Sequence, residues 1–339
     1  MPRPKQSPAF SHRVFALAPN NLRALRRDIV GWPATYGSKH MKSMFPLMLL
    51  FLFTAASAEE VKIKWKGDYA HNSNKRWTKE NPYDSGFSKN FKNGTPEEFD
   101  EVQKDGELNA FIYSQQDSKG PVPFVILLHG CDGLGTPSKE WAAHVANVLN
   151  PQGVGILVLD SFTTRYVDRS CGPADLHWGR RRADDAYSAL DYLIEKKLAK
   201  ANEVYLMGYS NGGTATLVSM TTQEADHPHH FAAAFAVAPG CSPSLQHSAI
   251  YTSPIIVFMG DHDDANNPKW CEELAKTKRS VPVQMIEYRG ANHGFPVNAP
   301  AHDFMGWHLS YSPTAEKDMM QTIISAVKTK KFVKGIELR

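Results

Sequence analysis

The hexapeptide Gly208-Tyr209-Ser210-Asn211-Gly212-Gly213 places a serine between glycines. It ends an apolar strand-like run and opens a helix-like one, the setting of a nucleophile elbow. On such a turn the hydroxyl is lifted above the sheet edge, and side chains at the flanking glycines would collide with the strand and helix. A serine hydroxyl becomes a nucleophile only when a base takes its proton, and that base needs a carboxylate to orient it. In a strand–elbow–helix setting the chain order is serine, acid, histidine. Two later loops fit that order. The run 254–260 leads into Asp261-His262-Asp263-Asp264, and the run 281–288 leads into Gly290-Ala291-Asn292-His293-Gly294-Phe295. His293 sits on a loop between small residues just past a strand and is the expected base; His302 and His308 lie farther from any strand end. Asp263 is the preferred acid, with Asp261 and Asp264 as alternatives whose other role is to cap the adjoining loop or helix.

Cleavage of an acyl bond also needs two fixed N–H donors for the developing oxyanion. Asn211 opens the helix after Ser210 and supplies one. The loop Leu128-His129-Gly130-Cys131-Asp132-Gly133 comes after the first central strand, and Cys131 N–H is the expected second donor; His129 is read as structural.

Positioning these groups requires a sheet whose strands end on one rim. From residue 107 the chain alternates strand-like and helix-like stretches. Strands are predicted at 107–114, 123–128, 155–160, 203–208, 232–238, 254–260 and 281–288. Helices are predicted from an N-cap at Thr136 to Leu149, over Arg182–Leu198, and over Pro313–Lys328. The apolar runs at 123–128 and 155–160 read as strands buried on both faces, and the alternation implies a mostly parallel sheet covered by helices on both sides. Ligands of such sheets sit beyond the strands' carboxyl ends.

Bulk properties exclude other classes. The 339 residues carry a net charge of +3, with 42% hydrophobic and 22% charged residues. The first 58 residues hold eight Lys/Arg and one acid, Asp28, leaving a body with 30 basic and 34 acidic residues. No electrostatic footprint for nucleic acid is expected. Residues 41–58 read as a signal peptide: a basic start at Met41-Lys42, an apolar core at 45–56, and Ala56-Ser57-Ala58 before Glu59. The core is too short for a stable membrane span, so export to the periplasm or medium is expected, with translation starting near Met41 or Met44. An organelle transit peptide is the alternative for residues 1–40. Residues 59–106 read as an N-terminal extension with one edge strand, 107–333 as the main domain and 334–339 as a tail. Asn93-Gly94-Thr95 is a glycosylation acceptor pattern. The four cysteines, 131, 171, 241 and 271, allow two disulfides in three connectivities or four buried thiols.

Taken in order, Leu127–Leu134, Leu159–Phe162, Arg182–Ala186, Gly208–Gly213, Gly260–Asp264 and His293–Phe295 resemble the dienelactone hydrolase family of the α/β-hydrolase superfamily. The resemblance covers about 107–333. It implies the α/β-hydrolase fold and hydrolysis of carboxylic esters of small molecules without metal or cofactor. It favours Asp263 as acid and His293 as base, and it implies the pairings Cys241–Cys271 and Cys131–Cys171. The founding enzymes carry cysteine where this chain has Ser210, which points to a broader, esterase-like branch.

Three further features carry weaker signals. Asp226-His227-Pro228-His229-His230 matches no standard zinc spacing and reads as a solvated loop, so no metal is expected there. Arg180-Arg181-Arg182 with Asp184 and Asp185 reads as a solvated, salt-bridged turn. Trp141, Phe162, Tyr166, Trp178, Trp270 and Phe295 lie near strand ends, where some could wall a pocket. The rivals to an ester hydrolase are a peptidase or acyltransferase with the same three groups, and a silent binding protein on the same scaffold.

Overall fold

The computed structural model describes residues 58–65, 106–114, 120–165, 169–171, 175–221 and 227–339. All lie within one compact unit, Phe53–Arg339. The leader to residue 57, the Asn93 motif and Tyr166 lie outside the described residues, and of Trp178 only the backbone is described.

Nine strands form one sheet: β1 (Glu59–Trp65), β2 (Gly106–Tyr113), β3 (Val122–Leu128), β4 (Gly155–Asp160), β5 (Ala199–Tyr209), β6 (Ala233–Val237), β7 (Ile255–Gly260), β8 (Val283–Tyr288) and, after two short strands, β11 (Gly335–Leu338). Their order is β1-β2-β4-β3-β5-β6-β7-β8-β11. β1 and β2 are antiparallel to each other and β2 to β4, and every other pairing is parallel. Every residue of β4, β6 and β7 is buried, which requires cover on both faces and explains their continuous apolar sequences. The expected α/β-hydrolase fold is thus present. The two short strands, β9 (His302–Phe304) and β10 (Trp307–Leu309), pair as a separate hairpin.

The helices are α1 (Thr136–Leu149), α2 (Asp175–Glu195), α3 (Asn211–Ser219), α4 (Pro268–Lys276) and α5 (Pro313–Thr329). α1 contacts α5, and α2 contacts α3. α1 buries Trp141, Ala142, Val145, Ala146 and Leu149, a stripe at helical spacing. Burying a large side chain of this kind is worth about 1.5–3 kcal/mol relative to exposure.

Several expectations need correction. The N-cap of α1 is Gly135, not Thr136, and no side chain caps it. α2 begins seven residues before the predicted Arg182. The "tail" 334–339 contributes β11, an edge strand paired in parallel with β8. The basic–acidic head of α2 is not a solvated turn: Arg181, Arg182, Asp184 and Asp185 are all buried. Residues 161–165 and Trp65 cover it. Asp185 makes a bidentate pair with Arg165 at 2.6 and 2.7 Å, and the Arg165 guanidinium stacks on the Trp65 ring at 4.1 Å. All four cysteines pair as Cys131–Cys171 and Cys241–Cys271, with Cα–Cα distances of 4.9 and 5.1 Å.

Candidate active site

β5 ends at Tyr209 and α3 starts at Asn211, leaving Ser210 alone on the turn. Its backbone sits at φ 56°, ψ −118°, a conformation that non-glycine residues rarely adopt and that concentrates at functional sites. The turn is held by Ser210 N–H donating to Val237 O at 2.9 Å. The glycines around it answer to close packing. A Cβ on Gly208 would lie 2.1 Å from Gly212 O, and one on Gly212 would lie 2.4 Å from Leu128 O.

Ser210 Oγ lies 2.9 Å from His293 Nε2, and His293 Nδ1 lies 2.8 Å from Asp263 Oδ2. All three side chains are largely buried. The other Asp263 oxygen accepts from the backbone N–H groups of Ala265 (3.0 Å) and Asn266 (2.8 Å). These donors stabilise the carboxylate and fix its orientation. With Nδ1–H donated to Asp263, the Nε2 lone pair faces the serine hydroxyl, the arrangement that lets imidazole accept its proton. The rival acids serve the loops. Asp261 accepts from Gly290 N–H at 2.7 Å, and Asp264 accepts from His308 N–H at 2.9 Å. His302 and His308 are engaged with Pro300 O and Asp303 respectively.

Cys131 lines the cleft beside Ser210, and Asn211 is the first helical residue after it. The two segments are tied together by Arg182. Its guanidinium, fully buried, donates to the Asn211 side-chain oxygen and to the His129 carbonyl. His129 packs edge-on against Phe162 at 4.7 Å. Burial, reinforced by the Arg182 charge, lowers its pKa to about 3, so the ring is neutral, as a structural role requires. The disulfide Cys131–Cys171 and the bond from Ser170 N–H to Cys131 O (2.7 Å) fix the same loop from the other side.

The cleft over Ser210 is walled by Pro137, Trp141, Val297, Phe304, Trp307 and Leu309. A concave, mainly apolar cavity with a few polar groups at its floor suits a small organic ligand. Of the aromatics singled out in the sequence, Trp141 lines it, Phe162 and Phe295 are core, and Trp270 is exposed on α4.

Sequence reasoning missed four contributors. Tyr209 OH donates to His293 O at 3.1 Å with its ring 5.3 Å from the imidazole. Asn292 braces the histidine loop, its Oδ1 accepting from Gly294 and Ser310 N–H and its Nδ2 donating to Ser310 Oγ. The β9–β10 hairpin brings Trp307 to 6.4 Å from the His293 ring. Its tight turn needs positive φ at Met305 and Gly306, and only Gly306 hinted at it in the sequence. Arg182 was visible, but its burial was not.

Among curated proteins none matches the sequence. Solved structures share the fold. A dienelactone hydrolase-like promiscuous phosphotriesterase from metagenomic libraries has a TM-score of 0.53 at 16% identity, with 80% of this chain and 98% of that one covered. A Klebsiella pneumoniae protein described as a dienelactone hydrolase gives 0.52 at 16% identity, covering 66% and 94%. The structure named m3DLH gives 0.55 at 16% identity, covering 81% and 99%. The family profile for the dienelactone hydrolases matches residues 108–330. That stretch runs from β2 to the end of α5 and holds every residue of the cleft, and the chain therefore belongs to the dienelactone hydrolase family, hydrolases of ester bonds.

Proposed function

We propose that this hydrolase is a serine carboxylesterase that works through an acyl-enzyme on Ser210. The observation that carries the reading is the unbroken relay from Ser210 Oγ to His293 to Asp263, at 2.9 and 2.8 Å. His293 takes the hydroxyl proton as Ser210 attacks the ester carbonyl. Asp263 holds the imidazole and stabilises the imidazolium, and the N–H groups of Cys131 and Asn211 receive the oxyanion. His293 then protonates the departing alkoxide. Water, activated by the same histidine, releases the acid and restores the serine. The apolar walls favour esters with compact hydrophobic acyl or alcohol groups.

The test is covalent labelling with a fluorophosphonate, together with turnover of short aryl esters and of peptides. Labelling mapped to Ser210, ester turnover and loss of both in Ser210→Ala support the reading. A folded protein that resists labelling overturns it, and peptide cleavage without ester cleavage reassigns the leaving group.

We further propose that the protein is exported. The apolar stretch 45–56 and the use of every cysteine in a disulfide support this. N-terminal sequencing of the mature protein is expected to begin at Glu59; a mature chain that retains residues 41–58 refutes it.

A further inference from the structure

We propose that Asp191, His227 and His229 form a binding site for a divalent transition ion of the zinc class, at the end of the sheet opposite Ser210. Asp191 lies in the penultimate turn of α2, and the two histidines lie on the loop that enters β6. The sequence placed these histidines on a solvated loop. The structure instead folds His227 against α2, leaving its side chain 2% exposed. One ligand atom from each residue lies within 4.8 Å of the others. Asp191 Oδ1 is 2.8 Å from His229 Nδ1, and Asp191 Oδ2 is 3.3 Å from His227 Nε2. Ligands bound tetrahedrally at zinc–nitrogen distances stand about 3.3 Å apart. The His227–Asp191 edge is already at that length, the His229–Asp191 edge needs to open by about half an ångström, and bringing both rings onto one ion requires the part-exposed His229 side chain to turn toward His227.

Two imidazoles and one carboxylate suit zinc or a neighbouring first-row ion and leave a fourth position for water. The orientation of His227 adds a second argument. Its ring packs on Tyr187 at 4.5 Å, and Tyr187 is itself fixed by donating to Ser219 O at 2.9 Å. His227 Nδ1 lies 3.0 Å from the His229 carbonyl. With Nδ1–H given to that carbonyl, the Nε2 lone pair points toward Asp191, the outer-shell arrangement typical of metal-binding histidines. Without the ion, His227 Nδ1 accepts from His229 N–H at 3.2 Å and Nε2 stands 3.3 Å from Asp191 Oδ2. A bound ion would cross-link α2 to the entry of β6, 38 residues away in sequence. Its role is to secure the strands' amino ends, not to take part in ester cleavage.

The experiment uses the full-length protein stripped with a chelator and titrated with Zn²⁺ against a chromophoric competitor, with thermal melts alongside. The expected result is one tightly held equivalent at neutral pH, a rise in Tm on loading, and Co²⁺ spectra of low coordination number. Affinity should fall on acidification, because binding requires neutral imidazoles. His229→Gln and Asp191→Asn are each expected to weaken binding by about a hundredfold or more. The His229 side chain is 35% exposed, so His229→Gln should fold and retain the wild-type rate of ester cleavage. Failure of the wild type to take up zinc at micromolar concentration overturns the proposal and leaves a hydrogen-bonded cluster. Unchanged zinc affinity in both variants also overturns it.

Discussion

Asp263→Asn tests the relay most sharply, because the structure dictates what the new amide must do. Asp263 Oδ1 accepts from two backbone N–H groups, at 3.0 and 2.8 Å. An asparagine there must keep its oxygen under those donors, which puts its NH₂ where Oδ2 now faces His293 Nδ1 at 2.8 Å. An NH₂ in that place donates to Nδ1. The imidazole proton is then driven to Nε2, and the lone pair that should accept from Ser210 is gone. Forcing the wrong tautomer in such a relay costs about 10⁴ in kcat, or about 5.5 kcal/mol of barrier. The Asp263 side chain has no exposed surface and does not line the cleft, so KM should hardly move. The assay is steady-state hydrolysis of a short aryl ester, with proton NMR following the imidazole N–H signals. Asp261→Asn and Asp264→Asn, which accept from the backbone N–H groups of Gly290 and His308 and make no bond to His293, should keep near wild-type kcat. A folded Asp263→Asn protein with kcat within tenfold of wild type refutes the reasoning.

Three more outcomes rest on the same geometry. Gly212→Ala sets a methyl 2.4 Å from Leu128 O and 2.5 Å from His129 O, both backbone atoms; a loss of about 3 kcal/mol or more should show in denaturant melts, or the protein should fail to fold. Arg182→Met removes charge-assisted bonds to Asn211 and the His129 carbonyl, each worth about 1.5–3 kcal/mol; melts should show the loss, and kcat should fall more than KM rises, because the loop and helix that carry the proposed oxyanion donors, Cys131 and Asn211, are no longer tied. His129 is neutral when folded, its pKa lowered by burial to about 3 from an ordinary 6.5. The unfolded chain therefore binds one more proton between those values, so stability falls as pH drops through that window, by about 1.4 kcal/mol per unit at most. His129→Gln should flatten the acid limb of a stability–pH curve by that amount.

Much of the site was legible because its residues sit where local pattern is strong. Ser210 and His293 each come shortly after a strand-like run, and the glycines beside Ser210 announce a turn. Asp263 was harder, since three carboxylates share one loop and only their hydrogen bonds separate them. The features hidden from sequence depend on contacts between distant segments. The charged head of α2 looks solvated in sequence, yet Trp65 and residues 161–165 close over it. Asp191 lies 38 residues from His229, so no local spacing could join them. The β9–β10 hairpin has short strands and a methionine in its turn, too little pattern to see beforehand.

That hairpin belongs to an excursion whose neck is pinched shut. Ser312 N–H donates to Phe295 O at 3.1 Å, so the chain leaves the histidine loop, circles over the cleft and returns almost to its starting point. Nothing in the relay lies on the excursion, while Val297, Phe304, Trp307 and Leu309 on it form most of the roof. Selectivity is therefore carried on side chains that the chemistry does not use. Exchanging Val297, Phe304, Trp307 and Leu309 would change which molecules are admitted, while Ser310, on the same excursion, goes on holding Asn292 beneath the histidine loop.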